Sequence, residues 1–470
     1  MNERIRSGGL FRPLSIATAA SVIFVLFAYV FFATAGELEF RRAPWYSGLY
    51  ASLTEGFLRG QLSMAHDPEP ELLRLPNPYR IDQRGDIPYV WDASLYRGRY
   101  YLYFSPVPVL LFTLPFRVAA RGYATDPLAT LFFTSWAFLA CVAFLRRVMR
   151  GRASLPLWIL LAGVGNIVPY FLLDTRVYDV AASCGMAMAT TWAYTLLRFL
   201  ESPSTRSATW MGLFLGLTIA TRPNMIVLLA VAAFALWKYG TRKLAIAVAL
   251  PVVVIGSAYA AYNYARFGSP FETGLSYQLT VISMRHETPC RLCTPSDLSR
   301  FFNTLMHYVF LPPKFVSRFP FVEMRFNDVD RAVSFPALPE QVTGIFAITP
   351  LTMFATAFAA LLVLARHNRE THTRVALLLL SSGWLVLLSL STCRWVTARY
   401  SLDFAMLMLL ATPIAIEEGL RFLRDANVST RPLRIAFTLL ACYSIVVGLL
   451  LGFTGRDSAF ERLNPTLLSR

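Results

Sequence analysis

Eleven apolar runs dominate this chain, near residues 15–36, 127–145, 155–173, 179–199, 208–221, 223–238, 243–262, 342–365, 374–391, 399–416 and 434–453. A helix needs about 20 residues to cross the hydrocarbon of a bilayer, a length that all but 208–221 and 223–238 approach. Backbone at that depth must satisfy its own hydrogen bonds, so helix is the form such runs take. Charged residues make up only 15% of the sequence, well below the roughly 25% usual in soluble proteins. The expected fold class is an all-α polytopic membrane protein with about 11 transmembrane helices.

The formal net charge of +16 would suggest nucleic acid in a soluble protein. Here the Lys and Arg cluster at the ends of apolar runs, where they orient a membrane protein, so no nucleic acid is expected. Residues 15–36 form a long run with no small-residue cleavage pattern behind it, which reads as a retained anchor and not a signal peptide. Two long polar stretches, 37–102 and 263–341, mark the candidate boundaries. The chain then divides into a cytoplasmic N-terminus with the first span (1–36), an outer loop with a juxtamembrane or re-entrant segment (37–126), a bundle (127–262), a second outer loop (263–341), late spans (342–453) and a tail (454–470).

The segment "GRYYLYFSPVPVLLFTLPF" decides the sidedness of everything after it. If it does not cross and the N-terminus is cytoplasmic, the short inner loops hold 19 Lys and Arg, while the short outer loops hold six: Arg117, Arg121, Arg176, Arg222, Arg394 and Arg399. If it crosses, the same residues divide as nine inside and 16 outside. Short loops favour Lys and Arg on the cytoplasmic side, so the segment is expected to dip in and return. Pro106, Pro108 and Pro115 agree, because each removes a backbone donor and breaks a spanning helix. Tyr96, Tyr100, Tyr101, Tyr103 and Phe104 then lie at headgroup depth. Both long loops fall outside, at an inner (plasma) membrane.

Chemistry is therefore sought on the outer face. Asp92 stands apart from the other loop acids because Trp91 and the Tyr-rich segment hold it at the membrane surface. In "LLDTRVYDVAAS" the short connection places Asp174, Arg176 and Asp179 at the outer edge, with Asp179 entering an apolar helix. Ionisable groups near that depth are costly and tend to face a cavity, although Asp179 also fits a helix-capping position. In "IATRPNMIV", Arg222 falls between two abbreviated runs, a place suited either to a lipid phosphate or to a snorkelling side chain. Arg399 and Asp403 have i, i+4 spacing and are expected to pair. The second loop holds His286, His307 and a single C-x-x-C, Cys290 and Cys293, which is weak for zinc and suits a disulfide or two thiols. No phosphate-binding P-loop, dinucleotide fingerprint, H-E-x-x-H or G-x-S-x-G occurs.

In layout the chain resembles the GT-C superfamily of integral-membrane glycosyltransferases, closest to the protein mannosyltransferase and aminoarabinose transferase-like group. The segments that carry the resemblance are "GRYYLYFSPVPVLLFTLPF" followed by "FLRRVMRGR", "LLDTRVYDVAASCGMAMATTWAYTLLRFL", "GLTIATRPN" and "ARYSLDFAMLML". The resemblance implies transfer of a sugar from a polyprenyl-phosphate donor to a glycan, lipid or protein acceptor, among membrane lipids, on the periplasmic face. It implies no required cofactor; a divalent cation is compatible but not indicated. In this reading Asp92 is the base and Asp179 assists it. Arg222 grips the lipid phosphate, with Arg399, Arg266, Arg176 and Tyr100 as further substrate-binding candidates. Family members place a catalytic Asp soon after the first span, whereas "APWYSGLYASLTEGFLRGQL" offers only Glu55. The base role then passes to Asp92, or to Glu37 or Glu39, or the chain is an inactive relative. A lipid-linked glycan flippase is the alternative from another class.

Overall fold

The computed structural model describes residues 15–39, 46, 48–280, 284, 295–326, 340–367, 370–393 and 396–468. In chain order the helices are α1 (Ile16–Ala33), α2 (Leu49–Leu58), α3 (Pro70–Arg74), α4 (Ile81–Arg84), α5 (Leu114–Ala120), α6 (Asp126–Val148), α7 (Leu155–Val164), α8 (Val168–Leu172), α9 (Val177–Glu201), α10 (Thr205–Thr221), α11 (Leu228–Tyr239), α12 (Arg242–Phe267), α13 (Pro295–Phe310), α14 (Ile345–Ile348), α15 (Leu351–Leu364), α16 (Thr371–Ser391), α17 (Ser401–Asp425), α18 (Arg431–Thr454), α19 (Ala459–Leu463) and α20 (Pro465–Leu468). The strands are two or three residues long and pair only as hairpin-like ribbons, the first being β1 (Ser94–Tyr96) with β2 (Arg99–Tyr101).

Seven helices among the described residues are long and apolar enough to cross a membrane: α1, α6, α9, α12, α16, α18 and the Ala398–Asp425 stretch that includes α17. The protein is thus an all-α, multi-pass membrane protein. The other four apolar runs form shorter or broken helices, each for a local reason. Run 155–173 splits into α7 and α8, where Asn166 turns its amide onto the Ala162 carbonyl at 2.8 Å and accepts from the Val168 N–H at 2.8 Å. Runs 208–221 and 223–238 become α10 and α11, separated by a 3-10 turn that opens on Pro223. Run 342–365 divides at Pro350 into α14 and α15.

α9 and α17 form the centre, each 89% buried over its spanning window. α6 and α10 pack on α9, α16 packs on α17, and α12 lies outermost against α10. The small residues of α9, "AASCGMAMATT", let neighbours approach closely.

The proline-broken segment forms one short helical unit. A π-helical turn, Val109–Thr113, runs into α5, and Val109–Ala120 as a unit is 12 residues long, about 18 Å at the helical rise and far short of a 30 Å hydrocarbon layer. The loop between α1 and α6 also leaves and returns at one end of the bundle. Ala35, just past α1, accepts from Asn464 at 2.8 Å beyond the end of α18, and Asp126, at the start of α6, shares a cavity wall with Asp92 and Arg176. At the opposite end, ion pairs join Arg147 to Glu201, Arg152 to Glu417 and Arg421 to Glu370.

α13 turns an apolar stripe away from the protein: Leu298, Phe302, Met306 and Phe310, all exposed and four residues apart. Its other face is locked in place by Tyr308, whose hydroxyl donates to the Thr397 carbonyl and accepts from the Thr397 N–H, both at 3.1 Å.

Candidate functional site

The platform beneath the site is a hairpin. Arg97 and Gly98, with φ of 48° and 74°, form the positive-φ turn that matches the twist of a two-residue hairpin, and β1 and β2 pair across it. The second long loop docks along β1: the Asp92 N–H donates to the Leu279 carbonyl at 3.0 Å, and the Leu279 N–H returns to the Ala93 carbonyl at 2.9 Å. Two sequence candidates serve this platform and do not line the cavity. Arg266 is buried, donates to the Leu102 carbonyl at 2.6 Å and to Asn263 at 2.7 Å, and lies against the Tyr262 ring. It pins the end of α12 to the first loop, a task for a cation in a carbonyl-lined socket and not for one meeting a ligand. Tyr100 is also buried, its hydroxyl accepting from the Val90 N–H at 3.4 Å and its carbonyl from the Met64 N–H at 2.9 Å.

Asp92 sits at the end of this platform with φ of 61°. A non-glycine residue rarely holds that left-handed conformation, and such strain concentrates at functional positions. Its carboxylate accepts from Gln278 Nε2 at 2.7 Å and is 9% exposed. Burial pushes the carboxyl above its ordinary value, against the Gln278 hydrogen bond and the positive charge of Arg399.

In front of Asp92 opens a cavity of about 720 Å³, lined among others by Arg176, Arg222, Glu340, Arg399 and Arg456. Each arginine arrives on a different element. Arg222 ends α10 as its C-cap, and its stem lies across Gly185 of α9, where an added Cβ would come within 2.3 Å of Arg222 Cγ. Its guanidinium grips Asp403 through Nε at 3.0 Å and Nη2 at 2.7 Å, and Asn224 adds a third donor at 3.0 Å. A side chain so paired and only 8% exposed does not snorkel. Arg399 donates to Glu340 at 3.1 Å and stacks 4.2 Å from the Tyr178 ring centre. Arg456 donates to both oxygens of Asp179 at 3.2 Å. Arg176, more exposed, precedes α9 and lies 3.8 Å from Asp174.

Two expectations change here. Arg399 and Asp403 do not pair: Arg399 belongs to a 3-10 turn, Ala398–Tyr400, that precedes α17, so the four-residue spacing does not place both on one α-helical face. Asp179, expected to assist Asp92, does not line the cavity. It is 1% exposed, caps α9 by accepting the Arg176 N–H at 2.9 Å, and spends its remaining capacity on Arg456. Asp179 is the third residue of α9 and caps it by holding the N-cap residue Arg176, not as the N-cap itself, and its contribution to the site is to aim a cation.

Glu340 and Arg456 escaped the sequence reading. Burial pushes Glu340 up, but Arg399 and Arg456 outweigh it and hold the carboxyl below its ordinary value. Glu340 lies two residues before the 342–365 run and Arg456 three after the 434–453 run. The criterion that selected Arg176, an ionisable group at the outer mouth of a span, applied equally to both.

Cys393 lines the cavity. Arg394, His286, Cys290 and Cys293 lie outside the described residues, and among the described residues no three His, Cys, Asp or Glu side chains gather as a metal site. Chemically, the cavity offers four guanidinium groups, three held by buried or half-buried carboxylates, around one carboxylate whose proton affinity is raised. Guanidinium forks suit phosphate oxygens. A search of protein families found no model that matches this chain, and a search of curated proteins found no match either, so these side chains carry the functional reading.

Proposed function

We propose that this protein is a GT-C-like membrane glycosyltransferase that moves a sugar from a polyprenyl-phosphate donor to an acceptor hydroxyl on the outer face of the inner membrane, with the N-terminus cytoplasmic and about 11 membrane passes. The observation that carries this reading is Asp92, a strained, buried carboxylate facing a cavity with four arginines. The donor's phosphate binds among Arg222, Arg399, Arg456 and Arg176. Asp92 takes the proton of the acceptor hydroxyl as its oxygen bonds to the anomeric carbon. The bond from that carbon to the phosphate oxygen breaks, and the arginines stabilise the charge gained by the departing lipid phosphate. The proton passes from Asp92 to solvent, which leaves a glycoside and a polyprenyl phosphate.

The charges gather at one end of the bundle, whereas a flippase needs a polar path through it. Purified protein in nanodiscs, given radiolabelled polyprenyl-phosphate sugars and no gradient, consumes the donor if the reading holds. Intact donor with every sugar tested, beside a positive control, ends it.

Two further results follow from the geometry. Arg399→Gln and Arg456→Gln each weaken binding of polyprenyl phosphate by about tenfold, the scale of one charge-assisted hydrogen bond, measured by displacement of labelled lipid. The stripe on α13 is at membrane depth. In nanodiscs, cysteines replacing Phe302 and Met306 resist a charged maleimide that readily labels one replacing Asn303 on the exposed polar side.

A further inference from the structure

Behind Asp92 lies a second cavity, of about 340 Å³. Trp91, Asp92, Arg176 and Tyr178 line both cavities, so Asp92 borders each of them. The two sides differ in chemistry. The front holds four arginines; the rear keeps only Arg176 of these and adds Asp126, Ser52 and Thr175. Ser52 is 3% exposed, and its Oγ has no hydrogen-bond partner; Thr175 Oγ1 is also buried and unpartnered. Asp126, half-buried in the first turn of α6, adds a carboxylate to this lining. Buried polar groups are nearly always satisfied in a folded protein, and two unpartnered hydroxyls around a single cavity call for an outside partner.

That partner must offer several groups that both donate and accept. A hydroxyl does so, donating to Asp126 while accepting from Ser52 or Thr175. An anion would meet Asp126 and Asp92, and a hydrocarbon would leave both hydroxyls bare. The volume lies near the lower end of the roughly 300–1,000 Å³ range of ligand pockets, which suits one sugar-sized unit. Gly48 keeps the approach open, since a Cβ there would lie 3.2 Å from Asp126 Oδ1.

We infer that the rear cavity is the acceptor subsite and that the acceptor presents a polyhydroxylated group, a carbohydrate or polyol, held by Ser52, Thr175 and Asp126 with one hydroxyl turned to Asp92. The inference rests on the function proposed above and narrows its acceptor from any glycan, lipid or protein to one that leads with a sugar or polyol unit. Asp126 and Ser52 are then specificity-determining residues.

Binding that needs no donor tests it. Saturation-transfer NMR on the full-length protein in nanodiscs, with methyl α-glucopyranoside, methyl α-mannopyranoside and myo-inositol as probes, detects at least one of them, and Asp126→Asn and Ser52→Ala abolish that signal. No probe bound, or binding equal in the variants, overturns the inference while leaving donor consumption free to succeed or fail separately. Where transfer is measurable, both variants raise the acceptor KM about tenfold, the value of one hydrogen bond to a charged or buried group, with the donor KM unmoved; a donor KM that rises in step counts against it. Ser52→Ala unfolds no lower than the native protein, because it removes an unpartnered hydroxyl and no contact; Asp126→Asn keeps the side chain's shape and loses only the favourable charge of an acid in the first turn of α6, so the split between acceptor and donor KM reads its role. Gly48→Ala keeps every polar group, crowds only the space before Asp126, and raises the acceptor KM likewise; an unchanged KM in this variant also counts against the subsite.

Discussion

Asp92→Asn leaves a folded protein whose transfer rate falls by about 10²- to 10⁴-fold, the usual contribution of a positioned general base. Asn keeps the shape and tolerates the left-handed backbone that Asp92 adopts, as few other residues do, so the loss isolates the carboxylate. The pH dependence runs in a stated direction. A base works only when ionised, and burial raises this carboxyl above its ordinary value, so the acid limb of the rate profile lies above the ordinary carboxylate range. Stability moves the opposite way. A carboxyl with a raised folded-state pKa favours the fold while protonated, and that advantage disappears as pH climbs through the folded value. At neutral pH the ionised Asp92 is therefore a small burden, and Asp92→Asn melts no lower than the native protein. Parallel thermal melts and initial rates across pH 4 to about 8, the span in which carboxyl and imidazole groups titrate, check both statements; undiminished transfer in Asp92→Asn removes the base.

The largest effect on folding comes from the Arg222–Asp403 pair. Both side chains are buried, the carboxylate completely, and removing one partner strands an uncompensated charge at a cost of about 3–5 kcal/mol. Asp403→Leu is expected to lower the yield of monodisperse protein sharply and to depress its melting temperature more than any surface substitution. Arg222→Met with Asp403→Leu removes both charges together and recovers most of that loss, because a buried ion pair is often no more stabilising than apolar side chains of similar volume. The double variant still binds polyprenyl phosphate less tightly than the native protein, since one of the four cavity arginines is gone. Size-exclusion profiles and melts of the two single variants and the double variant form a thermodynamic cycle. A double variant no better than the singles would show that the pair is not what their loss reports.

Run length made the membrane class and the places of the long helices legible, because length against bilayer thickness is a one-dimensional test, but not their ends: α17 continues nine residues past the 399–416 run to Asp425 and α12 five past the 243–262 run to Phe267. It could not show where a run breaks. The Gly165–Asn166 interruption is held by side-chain hydrogen bonds and by Thr349, which donates to the Gly165 carbonyl at 2.9 Å from the break between α14 and α15, and hydropathy does not register such bonds. Asp92 and Arg222 stood out by local context, one beside Trp91 and one before Pro223. Partners were hidden because they are far apart in the chain: 181 residues separate Arg222 from Asp403, and 164 separate Arg266 from Leu102. Reading each ionisable group at a span mouth as a free candidate therefore overcounted ligands, and Asp179, Arg266 and Tyr100 proved to hold other groups in place. The rear cavity left no trace of its own in the sequence, because Ser52, Asp126 and Thr175 are ordinary residues until the fold gathers them.

The salt link between Asp179 and Arg456 spans 277 residues, nearly the whole bundle. During synthesis, α9 emerges long before the arginine that neutralises its first acidic residue, and at about 5–20 residues per second the ribosome needs tens of seconds to supply it. Through that interval Asp179 has only its capping bond to Arg176. The charges of the cavity are therefore complete only once Arg456 has followed α18, and until then a half-made chain carries at the mouth of its central helix an acid without its cation. Before Arg456 arrives there is no moment at which the four cations line the cavity together.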